Sequence, residues 1–204
     1  MPCNGIAVLT AQMTLNLQAH FDKADHRHDF AAWLRQYGVL VKRWWPMRAT
    51  RSWALGIGSD WTGLQFVGSE IRISDERDYL AHQAEVDRAF ELAQLYTGSL
   101  SQQQVVETCA ALGLNPQNIT CGGYGSPVLT FTLQAGVTVL VKVHLDGRIE
   151  MISQDGDFDT GKTVLEALLA ALQVEGVNIQ PTGQVETHHH DVLTVNSYEH
   201  YHQH

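Results

Sequence analysis

The amino-acid sequence predicts an α+β fold in which antiparallel sheets carry helices on one face and form two small modules. Short apolar runs separated by glycine and proline turns recur along the chain, as they do in antiparallel meanders. Longer stretches with apolar residues every three or four positions lie between these runs and indicate helices. A chain of 204 residues is long enough for one large domain or two small ones. The order of the elements favours α+β over an alternating parallel arrangement.

The first module is predicted to span residues 1–121. Alternation of apolar and polar residues from Leu9 to Leu17 predicts a strand, and the polar run His20–Asp29 predicts a loop. Asp25 or Asp29 could cap the helix that follows, whose predicted buried stripe is Phe30, Trp33, Leu34 and Tyr37 and which ends at Gly38. A strand over Val39–Trp45 that ends at Pro46 comes next, and then three meander strands over Ser52–Ile57, Gly63–Val67 and Glu70–Ile73.

The longest helical stretch closes this module. Ser74 or Asp75 is expected to open it, and Gly98-Ser99 to break or kink it. A capping box, Ser101-x-x-Gln104, then predicts a restart of the helix, which Gly113 ends.

The second module is predicted over residues 128–180, after a glycine-rich boundary at Gly122–Pro127. The predicted elements are strands over Val128–Leu133, Val137–Val143 and Arg148–Ser153, a helix over Val164–Leu172 and a further strand over Val177–Ile179. Asp146-Gly147 predicts a two-residue type I′ hairpin, which needs positive φ at both central residues. Residues 181–204 are polar and rich in histidine and form a predicted tail.

Composition limits the function classes. A formal net charge of −9 argues against a general nucleic-acid-binding surface. No apolar run is long enough to span a membrane, and the N-terminus shows no secretory signal, so a cytoplasmic location is expected. The three cysteines are far apart, which favours neither a disulfide framework nor a four-cysteine zinc site. Cys109 falls on an apolar helix face, whereas Cys121 beside two glycines is expected to be exposed, with a reactive thiol as an alternative.

One segment matches the phosphate-loop pattern G-x-x-x-x-G-K-[ST]. Gly156, Gly161, Lys162 and Thr163 occupy the defining positions, between a predicted strand and a predicted helix. The loop carries Asp157 and Asp159, however, where phosphates would have to lie. The residues that follow are too few for the rest of a nucleotide-hydrolysing domain. We therefore interpret the match as an ordinary helix entry, with a nucleotide-binding enzyme as a distant alternative.

A run of aromatic and basic residues is the candidate interface. Trp44, Trp45, Trp53 and Trp61 lie among lysines and arginines, and no acidic residue occurs between Asp29 and Asp60. Tryptophan and arginine are the side chains that most often anchor protein interfaces. Adjacent residues of a strand face opposite ways, so one of Trp44 and Trp45 should lie on an outer face. A protein partner fits the acidic chain better than a nucleic acid does.

Two histidine clusters are the candidate metal ligands. The first contains His26 and His28, among several aspartates, and is otherwise a solvated loop with helix-capping carboxylates. The second lies in the tail and comprises His188, His189, His190, His200, His202 and His204. Neutral imidazoles bind zinc, nickel or copper. The alternatives for the tail are a solubilising polar segment and a pH-responsive contact.

The order of elements resembles an uncharacterised family of small conserved α+β proteins from cyanobacteria, plastids and other bacteria. The segments that carry the resemblance are Met1-Pro2-Cys3, Glu70–Ser74, Leu95-Tyr96, Val105-Val106 and Leu112-Gly113. The segment Val139–Leu172 resembles a second short uncharacterised domain that is often encoded beside the first. The stretch Trp44–Trp61 and the histidine-rich tail depart from the family's pattern.

The resemblance implies no catalytic residues, because the family has no established activity. It implies a partner or adaptor role, since genes of this type often neighbour those of AAA-type ATPases. Open sheet edges often pair with another copy. The predicted function is therefore a non-catalytic interaction or assembly protein that forms homo-oligomers, and a transition-metal-binding protein is the main alternative.

Overall fold

The computed structural model describes residues 5–74, 77–122, 127–183 and 186–188. The strands are β1 (Ile6–Leu15), β2 (Val41–Met47), β3 (Ser52–Ile57), β4 (Gly63–Val67), β5 (Glu70–Ile73), β6 (Gln117–Cys121), β7 (Leu129–Gln134), β8 (Thr138–Val143), β9 (Arg148–Ser153), β10 (Val177–Pro181) and β11 (Glu186–His188). The helices are α1 (Leu17–Phe21), α2 (Ala24–Gln36), α3 (Tyr79–Ala111) and α4 (Phe158–Ala171). Two antiparallel sheets with helices confirm the α+β prediction.

The chain divides into two compact units. We call residues 15–97 the meander unit, and residues 1–14 together with 98–204 the seven-strand unit. The predicted boundary at Gly122–Pro127 lies inside the seven-strand unit, where β6 and β7 from its two sides pair with each other. A glycine-rich composition suits a connection within one sheet as well as a linker between domains, which is why it did not mark the division.

The meander unit contains a four-stranded antiparallel sheet in the order β2-β3-β4-β5. The strands β3, β4 and β5 have the bounds that the sequence predicted. One face of the sheet packs against buried side chains of α1, α2 and the first part of α3. The largest buried residues of this core are Phe21, Phe30, Leu34, Leu55, Ile57, Leu64 and Phe66. The rings of Phe21, Phe30 and Phe66 contact one another within this core, with centres 4.5 to 5.6 Å apart.

Two predictions for this unit were wrong. The polar run His20–Asp29 is not a loop, because it holds the end of α1 and the first turns of α2. Its polar side chains are exposed or half-buried on the end of α1 and the start of α2, while Phe21 within the run and Phe30 directly after it are fully buried. The second strand does not stop before Pro46, since β2 continues to Met47. β2 lies at the edge of the sheet, where a residue without an N–H is tolerated.

The predicted break in the long helix was also wrong. α3 runs through Gly98, and Ser101 lies inside it rather than at the start of a new helix. The only residue with non-helical backbone angles in α3 is His82, near its beginning. A Cβ at Gly98 would lie 2.4 Å from the Leu145 carbonyl oxygen. The glycine therefore permits a close approach of two backbone segments in the seven-strand unit.

The seven-strand unit has the strand order β10-β1-β9-β8-β7-β6, with β11 also paired to β1. Alternation along the strands places fully buried residues on one face, represented by Phe131, Val141 and Met151. α4 contributes Leu165, Leu168 and Leu169 to the buried side chains of the unit. This pattern of one buried and one open face is usual for antiparallel sheets.

The hairpin between β8 and β9 differs from the predicted type I′ turn. Only Gly147 has positive φ, at 90°. The Gly147 N–H donates to the His144 carbonyl oxygen at 3.1 Å, so the central residues of the turn are Leu145 and Asp146. Gly147 then occupies the left-handed position that follows a type I turn in longer hairpin loops. The Asp-Gly pair marked the hairpin correctly but not its turn type.

None of the helices in the described part of the chain is both long enough and apolar enough to pass through a bilayer.

Candidate interaction surface

Trp44 and Trp53, two of the four candidate interface tryptophans, face the core of the meander unit. The Trp44 ring packs 5.0 Å from the Phe21 ring and 5.7 Å from the Phe66 ring, centre to centre. Trp53 pairs across the sheet with Phe66 and so shares its face. These two rings cover the aromatic core rather than forming an open surface.

The indole N–H groups of both residues are also used within the unit. Trp44 Nε1 donates to the Arg27 carbonyl oxygen at 3.0 Å, and Trp53 Nε1 donates to Asp22 Oδ1 at 2.8 Å. Both acceptors lie in or beside the turn between α1 and α2. The two tryptophans therefore hold this turn against the sheet.

Trp45 points to the opposite face of the sheet from Trp44. Register places Trp45 opposite Ala54 and Ala54 opposite Gln65, so the three residues form a row across β2, β3 and β4. Trp45 is half-buried, and its Nε1 contacts the Met47 sulfur at 3.1 Å. Trp61, in the segment between β3 and β4, is 62% exposed. Trp61 is thus the most exposed of the four candidate tryptophans, and Trp45 is the half-buried one that lies on the face opposite the core.

Four cationic residues lie near Trp45 in the sequence, along β2 and the turn that follows it. Lys42, Arg43, Arg48 and Arg51 are all exposed, and none of the four side chains has a salt bridge or hydrogen bond to another described residue. We call these four residues and Trp45 the basic edge. In a chain of net charge −9, four exposed and unneutralised cations within ten residues make a distinct electropositive surface.

The turn of the basic edge is held by a polar network. Gln65 Nε2 donates to Thr50 Oγ1 at 3.0 Å and to Ser52 Oγ at 2.8 Å. Gln65 and Ser52 are buried, so these bonds are shielded from water. Arg51 has φ of 50°, in the left-handed region that favours glycine. An arginine is thus fixed at a strained turn position beside the tryptophan.

The phosphate-loop match has the geometry of a capped helix. α4 begins at Phe158, so Gly161, Lys162 and Thr163 lie within its first turns. In a phosphate loop, the residues between the two glycines instead form a cradle of free N–H groups. Here Asp157 caps the helix, because its carboxylate accepts from Thr160 N at 2.8 Å and from Thr160 Oγ1 at 3.0 Å. A carboxylate thus takes the position at the helix N-terminus that an anion would need.

The two glycines of the match have structural reasons. Gly156 has φ of 80°, which suits the turn before the helix. A Cβ at Gly161 would lie 2.5 Å from Ser153 Oγ, so this glycine lets α4 approach β9 closely. The Ser153 hydroxyl is fixed by the Ala7 N–H at 2.9 Å. The turn before α4 and the close packing of α4 on β9 therefore explain both glycines without a bound nucleotide.

The histidines of the first cluster lie on helices and not on the predicted loop. His26 and His28 are two positions apart on α2, which directs their side chains to different sides of the helix. His26 instead stacks on His20, with ring centres 4.0 Å apart. Burial, then the charges of His26 and Lys23, lowers the pKa of His20 to about 4. Where the structure describes the chain, no three His, Cys, Asp or Glu side chains lie close enough to share a metal ion.

The tail candidates lie almost wholly beyond the described residues. His189, His190, His200, His202 and His204 are outside them, and only the backbone of His188 is placed, in β11 opposite Ile6. The metal prediction for the tail therefore stays a prediction.

Cys109 is buried, which raises the pKa of its thiol to about 11, and Cys121 is exposed at the end of β6.

No protein family, no curated protein and no solved structure matches this chain. The resemblance to the small cyanobacterial and plastid family thus stays a prediction.

Sequence reasoning missed Asp22 and Arg27, which position Trp53. In the sequence these two residues are only an aspartate and an arginine within a polar run. Trp53, which both contact, lies 31 residues after Asp22, so no local pattern indicates the contact.

Proposed function

We propose that this protein is a non-catalytic interaction protein that assembles with itself through the basic edge. The observation that supports the proposal is the position of Trp45. This side chain lies half-buried on the face opposite the aromatic core, and four exposed cations without described partners lie within six residues of it in the sequence. Aromatic and arginine side chains are enriched in the centres of protein interfaces, where they supply most of the binding energy.

The contrast between neighbouring tryptophans strengthens this interpretation. Trp44 and Trp53 pack on the core and donate their N–H groups within the meander unit. Trp45 has only a weak sulfur acceptor for its N–H. A partner that covered Trp45 would bury its remaining apolar surface and could give that N–H a stronger acceptor.

Side chains, rather than the strand backbone, are proposed to make the contact. β2 is an edge strand, but its register shifts between Val41 and Trp44 and it contains Pro46. A bulge and a proline both oppose the addition of a further strand. In the other sheet, the edge strand β6 also has a register shift, between Gln117 and Thr120. Asn118 in this strand has a left-handed backbone conformation. This modifies the expectation that open sheet edges pair directly with another copy.

The proposal is tested by measuring oligomeric mass against concentration, by light scattering and sedimentation equilibrium. Trp45→Ala should weaken self-association by about 2 kcal/mol, roughly thirtyfold in the dissociation constant, while leaving the unit folded. Trp61→Ala removes the exposed tryptophan between β3 and β4 and tests whether the contact extends beyond the basic edge.

Two control variants make the result interpretable. Tyr37→Ala removes another exposed aromatic ring of the meander unit, 45% exposed, and should not change the mass. Trp44→Ala should destabilise folding instead, by about 2–4 kcal/mol. A protein that stays monomeric at every concentration would rule out self-assembly. An oligomer that Trp45→Ala leaves intact would rule out the basic edge as its interface.

A further inference from the structure

Charge is distributed very unequally between the two units. The seven-strand unit has eleven acidic and three basic side chains, whereas the meander unit has eleven acidic and ten basic ones. Nearly all of the net charge of −9 therefore belongs to the seven-strand unit. Surfaces of opposite charge attract and orient each other as proteins associate.

The basic charges of the meander unit are concentrated locally. Residues 30–59 contain five basic side chains and no acidic one, and four of the five belong to the basic edge. Two copies that met basic edge to basic edge would place eight cations at one contact, with no carboxylate from the same stretch between them. Such a symmetric contact would be opposed by repulsion.

The seven-strand unit exposes carboxylates that could face these cations. Asp155, Asp157 and Asp159 are exposed and occur within five residues that contain no basic side chain. Backbone N–H donors from Thr138 and Thr160 lower the pKa values of Asp155 and Asp157, so both groups stay ionised. Further along, Glu166 and Glu175 are exposed as well, and Lys162 is the one basic residue between Asp155 and Glu175.

We propose that self-assembly is head-to-tail: the basic edge of one copy binds the acidic seven-strand unit of the next copy. This inference rests on the proposed self-assembly and specifies which two surfaces meet. The contact is heterologous, so each copy offers one basic and one acidic surface, and the assembly closes into a ring or extends as a filament. Trp45 lies within the cationic group and supplies the apolar part of the contact.

The first test is reversal of charge on the basic edge. Lys42→Glu together with Arg43→Glu should raise the dissociation constant of self-association at least tenfold. The matched control is Lys23→Glu together with Arg35→Glu, which changes the net charge by the same amount at two exposed positions outside the basic edge. This control should change the dissociation constant less than threefold. Raising the salt concentration from about 0.05 M to about 0.5 M should also weaken the wild-type assembly. Thermal unfolding of each variant shows that the fold is intact.

The second test separates a contact between the basic edge and the acidic surface from a symmetric contact of basic edge with basic edge. A variant with Asp159→Lys, Glu166→Lys and Glu175→Lys keeps the basic edge and should also fail to self-associate. Mixed in equal amounts with the Lys42→Glu/Arg43→Glu variant, it should form a mixed dimer, because one intact contact is restored. Labelled copies followed by analytical ultracentrifugation would detect that species.

The outcomes distinguish the two proposals. A wild-type oligomer that neither reversal nor salt weakens would overturn the head-to-tail contact and leave self-assembly standing. A wild-type protein that is monomeric at all concentrations would overturn both. An acidic-surface variant that still self-associates would show a contact of basic edge with basic edge and overturn the inference. Reversal variants that each lose self-association and also fail to pair when mixed would overturn it as well.

Discussion

The guanidinium carbon of Arg27 lies 3.8 Å from the centre of the Trp53 ring. The same guanidinium donates to the carbonyl oxygens of Phe21 at 2.6 Å and of Asp22 at 3.1 Å. Trp53 in turn donates to the Asp22 carboxylate. The Arg27 guanidinium thus joins the turn between α1 and α2 to β3, because it packs on the face of the Trp53 indole and donates to two backbone carbonyl oxygens.

Arg27→Ala is therefore expected to destabilise the protein by about 1–3 kcal/mol, through loss of the cation–π contact and of two charge-assisted hydrogen bonds. Chemical denaturation measures this change in the free energy of unfolding. Arg35→Ala, an exposed arginine on the same helix, should change it by less than about 0.5 kcal/mol. Equal effects of the two substitutions would show that the Trp53 contact adds nothing to stability.

The helix that carries the phosphate-loop letters gives a second prediction. Lys162→Ala should leave the free energy of unfolding nearly unchanged, because the side chain is exposed. Gly161→Ala should destabilise by about 1–3 kcal/mol, since the added methyl group overlaps Ser153. Loss of the Asp157 cap in Asp157→Ala should also lower the stability of the fold, because Thr160 N would lose its acceptor. Magnesium-dependent binding of ATP or GTP that Lys162→Ala abolishes would contradict this account of the segment.

The stacked histidine pair predicts a pH dependence of stability. The folded pKa of His20, about 4, lies below the ordinary value of 6.5. Between these two values the unfolded chain binds more protons than the folded one, so stability rises with pH across this window and is fully present above 6.5. Because the ring is only half-buried, we expect the loss from pH 6.5 down to about 4 to be about 1–2 kcal/mol.

The His20→Leu variant should flatten that dependence. Nε2 of His20 is buried without a hydrogen-bond partner, so an apolar side chain removes no bond at that atom. His28→Gln, an exposed position on α2, is the control and should keep the slope of the native protein. Unfolding free energies measured in urea at several pH values provide the comparison. A His20→Leu variant with the original slope would assign the pH dependence to other groups.

The histidine-rich tail is expected to be separable from self-assembly. Deletion of residues 189–204, which keeps β11, should leave both units folded and the oligomeric mass unchanged with or without chelator. The metal-binding alternative predicts micromolar or tighter binding of Zn²⁺, Ni²⁺ or Cu²⁺ to the full chain. That binding should weaken as pH falls through about 6.5, because ligation needs neutral imidazole. Titration calorimetry on the full and shortened chains tests both statements.

Local patterns predicted the parts of the fold that depend on neighbours in sequence. The strands β3, β4 and β5 could be bounded because alternating apolar residues and glycine turns coincide there. The helical content of residues 20–29 was not predicted, since residues 22–29 have no buried apolar side chain that would show a helical period. Gly98 was misinterpreted for a similar reason, because its small size serves a contact with Leu145, distant in sequence.

The candidate surface was predictable only in part. Strand alternation implies that Trp44 and Trp45 face opposite ways. It does not say which one faces the core, because that depends on where α1 and α2 pack. The use of Trp53 by Asp22 and Arg27 is likewise a tertiary contact. The cluster of cations in β2, in contrast, is visible in the sequence because charge density needs no fold.

The left-handed conformation of Arg51 places folding and association in conflict at one position. Glycine would adopt the φ of 50° without strain, so an Arg51→Gly chain is expected to fold as well as the native one or better. The same change removes one of the four charges that the partner would meet. If the basic edge is the interface, selection for stability alone would favour glycine here, while selection for assembly retains arginine. Arg51→Gly would then change stability and association in opposite directions.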